Sequence, residues 1–233
     1  MKSRLILGTA LTLGLAAGAV LLTRGEAARA VTLPNPAADT PVAAAHGEEK
    51  AVLAGGCFWG MQLVFEHVKG VKHVAAGYAG GTKDTAQYET VSSGTTGHAE
   101  SVEVTFDPAV VTYGQILKVY FSVAHDPTEL DRQGPDEGHQ YRSSIFFTDQ
   151  EQQRVAQAYI DQLQAAHAFS APIVTTVTPL QGFYTAEGYH QDYAVHNPDN
   201  MYIAINDLPK LDALKKELPD LFSADGVAYV AAQ

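Results

Sequence analysis

A cysteine can serve as a nucleophile, a metal ligand, a disulfide partner or a small apolar filler, and this chain of 233 residues contains one, Cys57. With no second cysteine, an intrachain disulfide is excluded. Scattered histidines around one cysteine give no zinc-ligand spacing, and no nucleotide loop is present, so neither a metal nor a bound cofactor is expected. What remains is a nucleophile or a buried filler. Ala51 to Leu53 form a short apolar run ending at Gly55-Gly56, and Met61, Val64, Phe65 and Val68 then recur at helical spacing. Cys57 therefore falls at a strand-to-helix turn, where the helix dipole and free backbone N–H groups favour thiolate. The paired glycines let a ligand approach the backbone closely, and Phe58 and Trp59 add apolar aromatic surface beside the sulfur.

Gly56-Cys57-Phe58-Trp59-Gly60 resembles the signature of the A-type peptide methionine sulfoxide reductases. The resemblance continues, in family order, through Gly77-Tyr78-Ala79-Gly80-Gly81, Tyr88, Gly97-His98-Ala99-Glu100 and His125-Asp126-Pro127. It goes on through Asp136, Gly138-His139-Gln140-Tyr141-Arg142-Ser143, His190-Gln191-Asp192-Tyr193 and Asn197-Pro198, covering about residues 50–205. The resemblance implies that Cys57 attacks the sulfur of a methionine sulfoxide while a neutral Glu100 protonates its oxygen. Tyr88 and Tyr141 would hydrogen-bond that oxygen, Phe58 and Trp59 would hold the methyl group, and Asp136 would order the polar side. It also implies the S epimer as substrate, in oxidised proteins or as free methionine sulfoxide. The chemistry agrees, because sulfoxide oxygen leaves poorly until protonated and a carboxyl kept neutral by burial can supply the proton. His98 and His139 read as structural.

Two departures from the family pattern stand out. Gln62 occupies a position where the family commonly has Glu. The family's frequent C-terminal cysteines are absent, and Asn197-Pro198 is followed instead by Met201-Tyr202-Ile203-Ala204. A sulfenic acid on Cys57 then has no second thiol within the chain to capture it, so an external thiol reductant, small or of thioredoxin or glutaredoxin type, is expected. Two other readings compete: a cysteine hydrolase pairing Cys57 with His190 or His98, and a module that binds oxidised methionine without turnover.

The elements that must position these residues follow from periodicity and capping. Val71 to Tyr78 and Ser101 to Phe106 read as strands. Thr112-x-x-Gln115 predicts a capping box opening a helix that buries Ile116, Leu117, Tyr120, Phe121 and Ala124. After a polar stretch from His125 to Tyr141, Ser143 to Phe147 reads as a strand. Thr148-x-x-Glu151 predicts a second capping box, on a helix with Val155, Tyr159, Leu163 and Ala166 inward. Ile173 to Val177 reads as a strand and Asp212 to Leu218 as a late helix. The irregular alternation predicts an α+β fold, a two-layer sandwich around a mixed sheet with a ferredoxin-like core.

Lys2 and Arg4, the uncharged run from Leu5 to Leu22, and Ala28-Arg29-Ala30 have the order of a secretory signal, which predicts cleavage near Val31 and a periplasmic location. The competing expectation is an uncleaved membrane anchor. The expected organisation is a signal peptide over 1–30, a flexible linker over 31–48, a catalytic domain over 49–222 and a tail over 223–233. Removing Lys2, Arg4, Arg24, Arg29 and Glu26 takes the net charge from -11 to -14. So acidic a surface argues against nucleic acid as a partner, and membrane contact is expected only from an uncleaved leader.

Overall fold

Strand β1 (Glu49–Gly55) is buried on both faces from Ala51 onward, as suits the middle of a sheet. It runs antiparallel to β3 (Ala99–Phe106) on one side and to β6 (Ser143–Phe147) on the other. β2 (Val71–Ala79) pairs antiparallel with β3, and β8 (Phe183–Thr185) with β2. β7 (Thr176–Pro179) lies parallel to β6, which makes the six-stranded sheet mixed, in the order β7-β6-β1-β3-β2-β8. These relations come from a computed structural model describing residues 33–231. The predicted signal segment and its cleavage site lie outside the described residues.

Alternation along β1 divides the packing. Ala51 and Leu53 join the main core on one face, while Val52 and Ala54 join a smaller cluster with Ala79, Ala99 and Phe146 on the other. The main core receives Phe58, Met61 and Phe65 from α1 (Phe58–Glu66), Ile116 and Leu117 from α3 (Tyr113–Val119), Tyr159 and Leu163 from α4 (Gln150–Ala165), and Leu214 from α6 (Leu208–Glu217). Each such buried side chain contributes about 1.5–3 kcal/mol. Short pieces sit between these elements: α2 (Tyr88–Val91), the hairpin β4 (Arg132–Gln133) with β5 (Asp136–Glu137), and α5 (Tyr193–His196).

The capping box at Thr112 is present, with Thr112 and Gln115 each accepting the other's backbone N–H. The second box is shifted by one residue. Asp149 caps α4 by accepting from Gln152 N at 2.9 Å, and Gln152 Oε1 accepts from Thr148 N at 3.1 Å. Asp caps at least as well as Thr, and Glu151 is occupied by Arg154 one turn on. α4 ends at Ala165, leaving Ala166 exposed rather than inward. The strand expected from Ile173 begins at Thr176, because Val174 N–H is drawn off to Pro127 O. The late helix starts earlier than expected, at Leu208, with Pro209 in its first turn.

Residues 33–47 are not the free tether expected. Leu33 is buried, Tyr159 Oη donates to Pro34 O, Gln162 Nε2 donates to Asn35 O, and Ala43 N donates to Pro108 O. Asp39 accepts from Gly114 N at 2.7 Å and from Thr112 Oγ1 at 2.6 Å, so this strap adds a second cap to α3. The tail is docked as well: Ser223 N donates to His67 O, Val227 N to Glu66 O, and Tyr229 N to the Asp192 carboxyl.

Candidate active site

Cys57 is the N-cap of α1, at the turn that follows β1. Gly56 turns the chain there with φ +90°, and a Cβ on it would lie 2.5 Å from the Gln133 side chain. A Cβ at Gly60 would lie 2.0 Å from Asp207 Oδ1 and 2.8 Å from Lys210 Nζ, so an ion pair is seated directly against the first turn. Asp207 Oδ1 and Lys210 Nζ are 3.2 Å apart, and Asp207 is fully buried.

This setting overturns the expectation of a resting thiolate. Cys57 is 8% exposed, and burial pushes its thiol well above the ordinary range, with the carboxyls of Glu100, Asp207 and Asp136 pushing the same way when ionised. A backbone hydrogen bond at Trp59 opposes the rise and is outweighed. The resting group is a protonated thiol.

Glu100 is the second residue of β3, opposite Tyr78, and is 2% exposed. Burial pushes its carboxyl up to about 8, against the pull of the Phe58 N–H donated at 3.1 Å, while Asp136 and Asp207 raise it further. It is therefore protonated at neutral pH. Burial also raises Tyr88 and Tyr141, and Glu100, Cys57 and Asp136 would each raise both further when ionised, so all five groups share one site. The polar stretch between α3 and β6 delivers two of them, Asp136 on β5 and Tyr141 on the turn His139–Tyr141. Asp136 accepts a hydrogen bond from Tyr202 Oη.

The apolar side is built on Trp59. Its ring stacks on Tyr193 at 4.0 Å and 14°, meets Tyr202 edge-on at 6.1 Å, and donates through Nε1 to His190 Nδ1 at 3.2 Å. His190 in turn lies 5.0 Å from the Phe58 ring and 4.5 Å from Tyr88. All seven site residues named from the sequence thus converge. Sequence reasoning missed Tyr202, Asp207, Lys210 and Glu187, which accepts from Tyr78 Oη at 2.8 Å and Tyr88 N at 3.0 Å. An Asp-x-x-Lys spacing at the start of α6 was the available signal for the ion pair. Gln62 donates through Nε2 to Val74 O, Gln191 Oε1 and Asp192 Oδ1, and accepts from Asp192 N. Three acceptors facing that nitrogen suit an amide better than a carboxylate.

A thiol facing a neutral carboxyl, with two phenols on one side and an indole on the other, defines an enzyme that attacks a neutral, polar-tipped group while protonating it. A cysteine hydrolase needs a histidine on the sulfur. Among the described residues no histidine hydrogen-bonds Cys57; His190 accepts from Trp59, and His98 bonds the Thr82 carbonyl.

Comparison with known proteins agrees with this class. The family model described as peptide methionine sulfoxide reductase matches residues 49–221. The chain is 58% identical over 189 residues to the peptide methionine sulfoxide reductase MsrA 2 of Mesorhizobium japonicum, covering 81% of this chain and 97% of that protein. It is 53% identical over 194 residues to the one of Synechocystis, covering 82% and 91%. Among solved structures, methionine sulfoxide reductase A of Corynebacterium diphtheriae aligns with a TM-score of 0.57 at 33% identity, over 75% of this chain and 87% of that one. The reduced form of Mxr1 from Saccharomyces cerevisiae aligns with a TM-score of 0.59 at 29% identity, over 68% and 91%. The chain belongs to the peptide methionine sulfoxide reductase family, and its activity is the reduction of methionine S-sulfoxide to methionine.

Proposed function

We propose that Cys57 attacks the sulfoxide sulfur while Glu100 delivers the proton that its oxygen requires. The Cys57 thiol gives up its proton as the S–S contact forms, and Glu100 protonates the oxygen and is returned to its acid form. Tyr88 and Tyr141 orient the oxygen, Phe58 and Trp59 receive the methyl group, and Asp136, held by Tyr202, orders the polar side. The S–O bond breaks and the oxygen departs as water; water then adds to the Cys57 sulfur, the S–S bond breaks, and methionine leaves with Cys57 as a sulfenic acid. The observation that carries this assignment is the buried Glu100, pushed up to about 8 and bonded to the N–H of the residue after the nucleophile.

The sulfenic acid is then captured by an external thiol as a mixed disulfide, which a further thiol resolves; the reductant is a small thiol or a thioredoxin- or glutaredoxin-like protein. The lone cysteine supports this route. Repair of oxidised proteins outside the cytoplasm is the setting we infer, on the strength of the N-terminal segment. We also read the four central strands, in the order β6-β1-β3-β2, as a ferredoxin-like core. Turnover of each methionine sulfoxide epimer with dithiothreitol, for the parent and for Cys57→Ser, tests the assignment. Reduction of the S epimer alone, abolished by the substitution, is expected; a Cys57→Ser chain that still turns over would sink it.

A further inference from the structure

The chain has three methionines, Met1, Met61 and Met201. Met61 is fully buried in α1, with its Sδ facing Gly55 across the turn that carries Cys57. Met201 is the opposite case, with 77% of its surface exposed. It is also placed beside the site. Its neighbour Asn200 donates to Tyr193 Oη at 3.4 Å and accepts from Tyr202 N at 2.9 Å. Tyr193 stacks on Trp59, and Tyr202 donates to Asp136. Met201 thus stands on the rim of the substrate site, on a stretch in which Val195, His196, Pro198 and Asp199 are also exposed.

We propose that Met201 is an oxidation site of this protein and that its S-sulfoxide is a substrate for a second copy of the same chain. The proposal rests on the reading that Cys57 reduces protein-bound methionine sulfoxide. An exposed thioether accepts oxygen from a peroxide: an S–O bond forms on Sδ, the sulfur loses two electrons, and water departs. In the repair step the Cys57 thiol of another copy attacks that sulfur and the S–O bond breaks. An S–S bond to Cys57 forms in its place as the oxygen departs as water; water then adds to the Cys57 sulfur and the S–S bond breaks, so the thioether regains two electrons and Cys57 is left as a sulfenic acid. Two external thiols return it to the thiol, releasing water and a disulfide. A second copy is required because the Asn200 hydrogen bonds and Tyr202 hold the turn, with the Met201 side chain in solvent and Cys57 8% exposed. Once oxidised, the side chain offers what the pocket takes, a methyl sulfoxide on an unbranched stem, exposed at the start of the helical stretch that leads into Ile203–Asp207.

The experiment uses the Cys57→Ser chain, treated with hydrogen peroxide, as the substrate. The Met201→Leu chain with dithiothreitol serves as the enzyme, and mass spectrometry of the Met201 peptide as the readout. N-acetylmethionine sulfoxide in the same mixture reports that the enzyme works. The peptide is expected to gain one oxygen and then to lose about half of it, the S-epimer share, when enzyme and thiol are both present. Persistence of the oxygen while N-acetylmethionine sulfoxide is consumed overturns the proposal and leaves the reductase reading standing. Failure of both reactions would overturn both. A Met201 that stays unoxidised at peroxide doses that oxidise N-acetylmethionine also overturns it. Should Cys57→Ser not fold, the oxidised parent is followed alone with dithiothreitol. Repair that slows on dilution supports a second copy, and repair indifferent to dilution overturns it.

Discussion

Glu100 is governed by two opposed forces: burial raises its carboxyl, and the Phe58 N–H lowers it. Burial wins, leaving an acid whose proton is held up to about pH 8 and aimed at the nucleophile's turn. Glu100→Gln keeps the acceptor for Phe58 N–H and removes the proton. In single-turnover assays at neutral pH the reductive step should slow by about 10²–10⁴-fold. For the parent the same step should hold its rate below about pH 8 and decline above it, where the acid form is lost. A flat profile to pH 10 in single turnover would contradict the role. Cys57 and Glu100 were both legible in the sequence, because each sits in a local motif. The protonated state of the thiol was not. It depends first on burial of the sulfur and then on Glu100, Asp207 and Asp136, which come from β3, the start of α6 and β5 and meet only in the folded chain.

Capping decides where several elements begin, and the sequence showed one such device clearly. Thr112 and Gln115 cap each other as their spacing predicts. Asp149 takes the place of Thr148 because neighbouring Thr and Asp compete for the same N–H groups, and spacing alone does not choose between them. The role of Asp39 was invisible, since a segment rich in Pro, Ala and Thr carries no periodicity and its partners lie 73 and 75 residues away. Asp39→Ala should remove the acceptor for Gly114 N–H and Thr112 Oγ1 at the start of α3 and lower stability by about 0.5–2 kcal/mol. Urea unfolding measures this. The reduction of a small sulfoxide should persist, because α3 contributes packing and no group to the site. A variant with unchanged unfolding midpoint would show that the strap is held elsewhere.

The whole molecule balances buried ionisable groups against each other across pH. Glu66 is 2% exposed with Oε1 unpartnered, and burial, then the hydrogen bond and charge of Asp192, push it up to about 10. A carboxyl raised in the folded state contributes fully below its unfolded value near 4.5, and that contribution fades as pH rises to about 10. His125 works in the other direction. Burial lowers it to about 4, so its contribution is present above 6.5 and is lost as pH falls through 4. The two windows overlap from 4.5 to 6.5, where the slopes oppose each other, and above 6.5 the Glu66 contribution alone makes stability fall as pH rises to about 10. Glu66→Gln, which can still donate to Asp192, should flatten the alkaline slope by on the order of a few kcal/mol in denaturant titrations from pH 6 to 9. An unaltered slope would mean that Glu66 is not the group titrating. The cysteine count sets the last constraint on the whole chain. Without reductant, one enzyme should release about one equivalent of methionine and stop, carrying a sulfenic acid that a dimedone-type reagent traps. Glutathione or a dithiol protein should restart turnover through a mixed disulfide on Cys57. Because Cys57 is 8% exposed, a slender thiolate has the easier approach, and two Cys57 sulfurs can meet only if both first turns open. Accumulation of a Cys57-linked dimer, reduced at the turnover rate, would place the resolving thiol on a second copy of the chain and refute the external route.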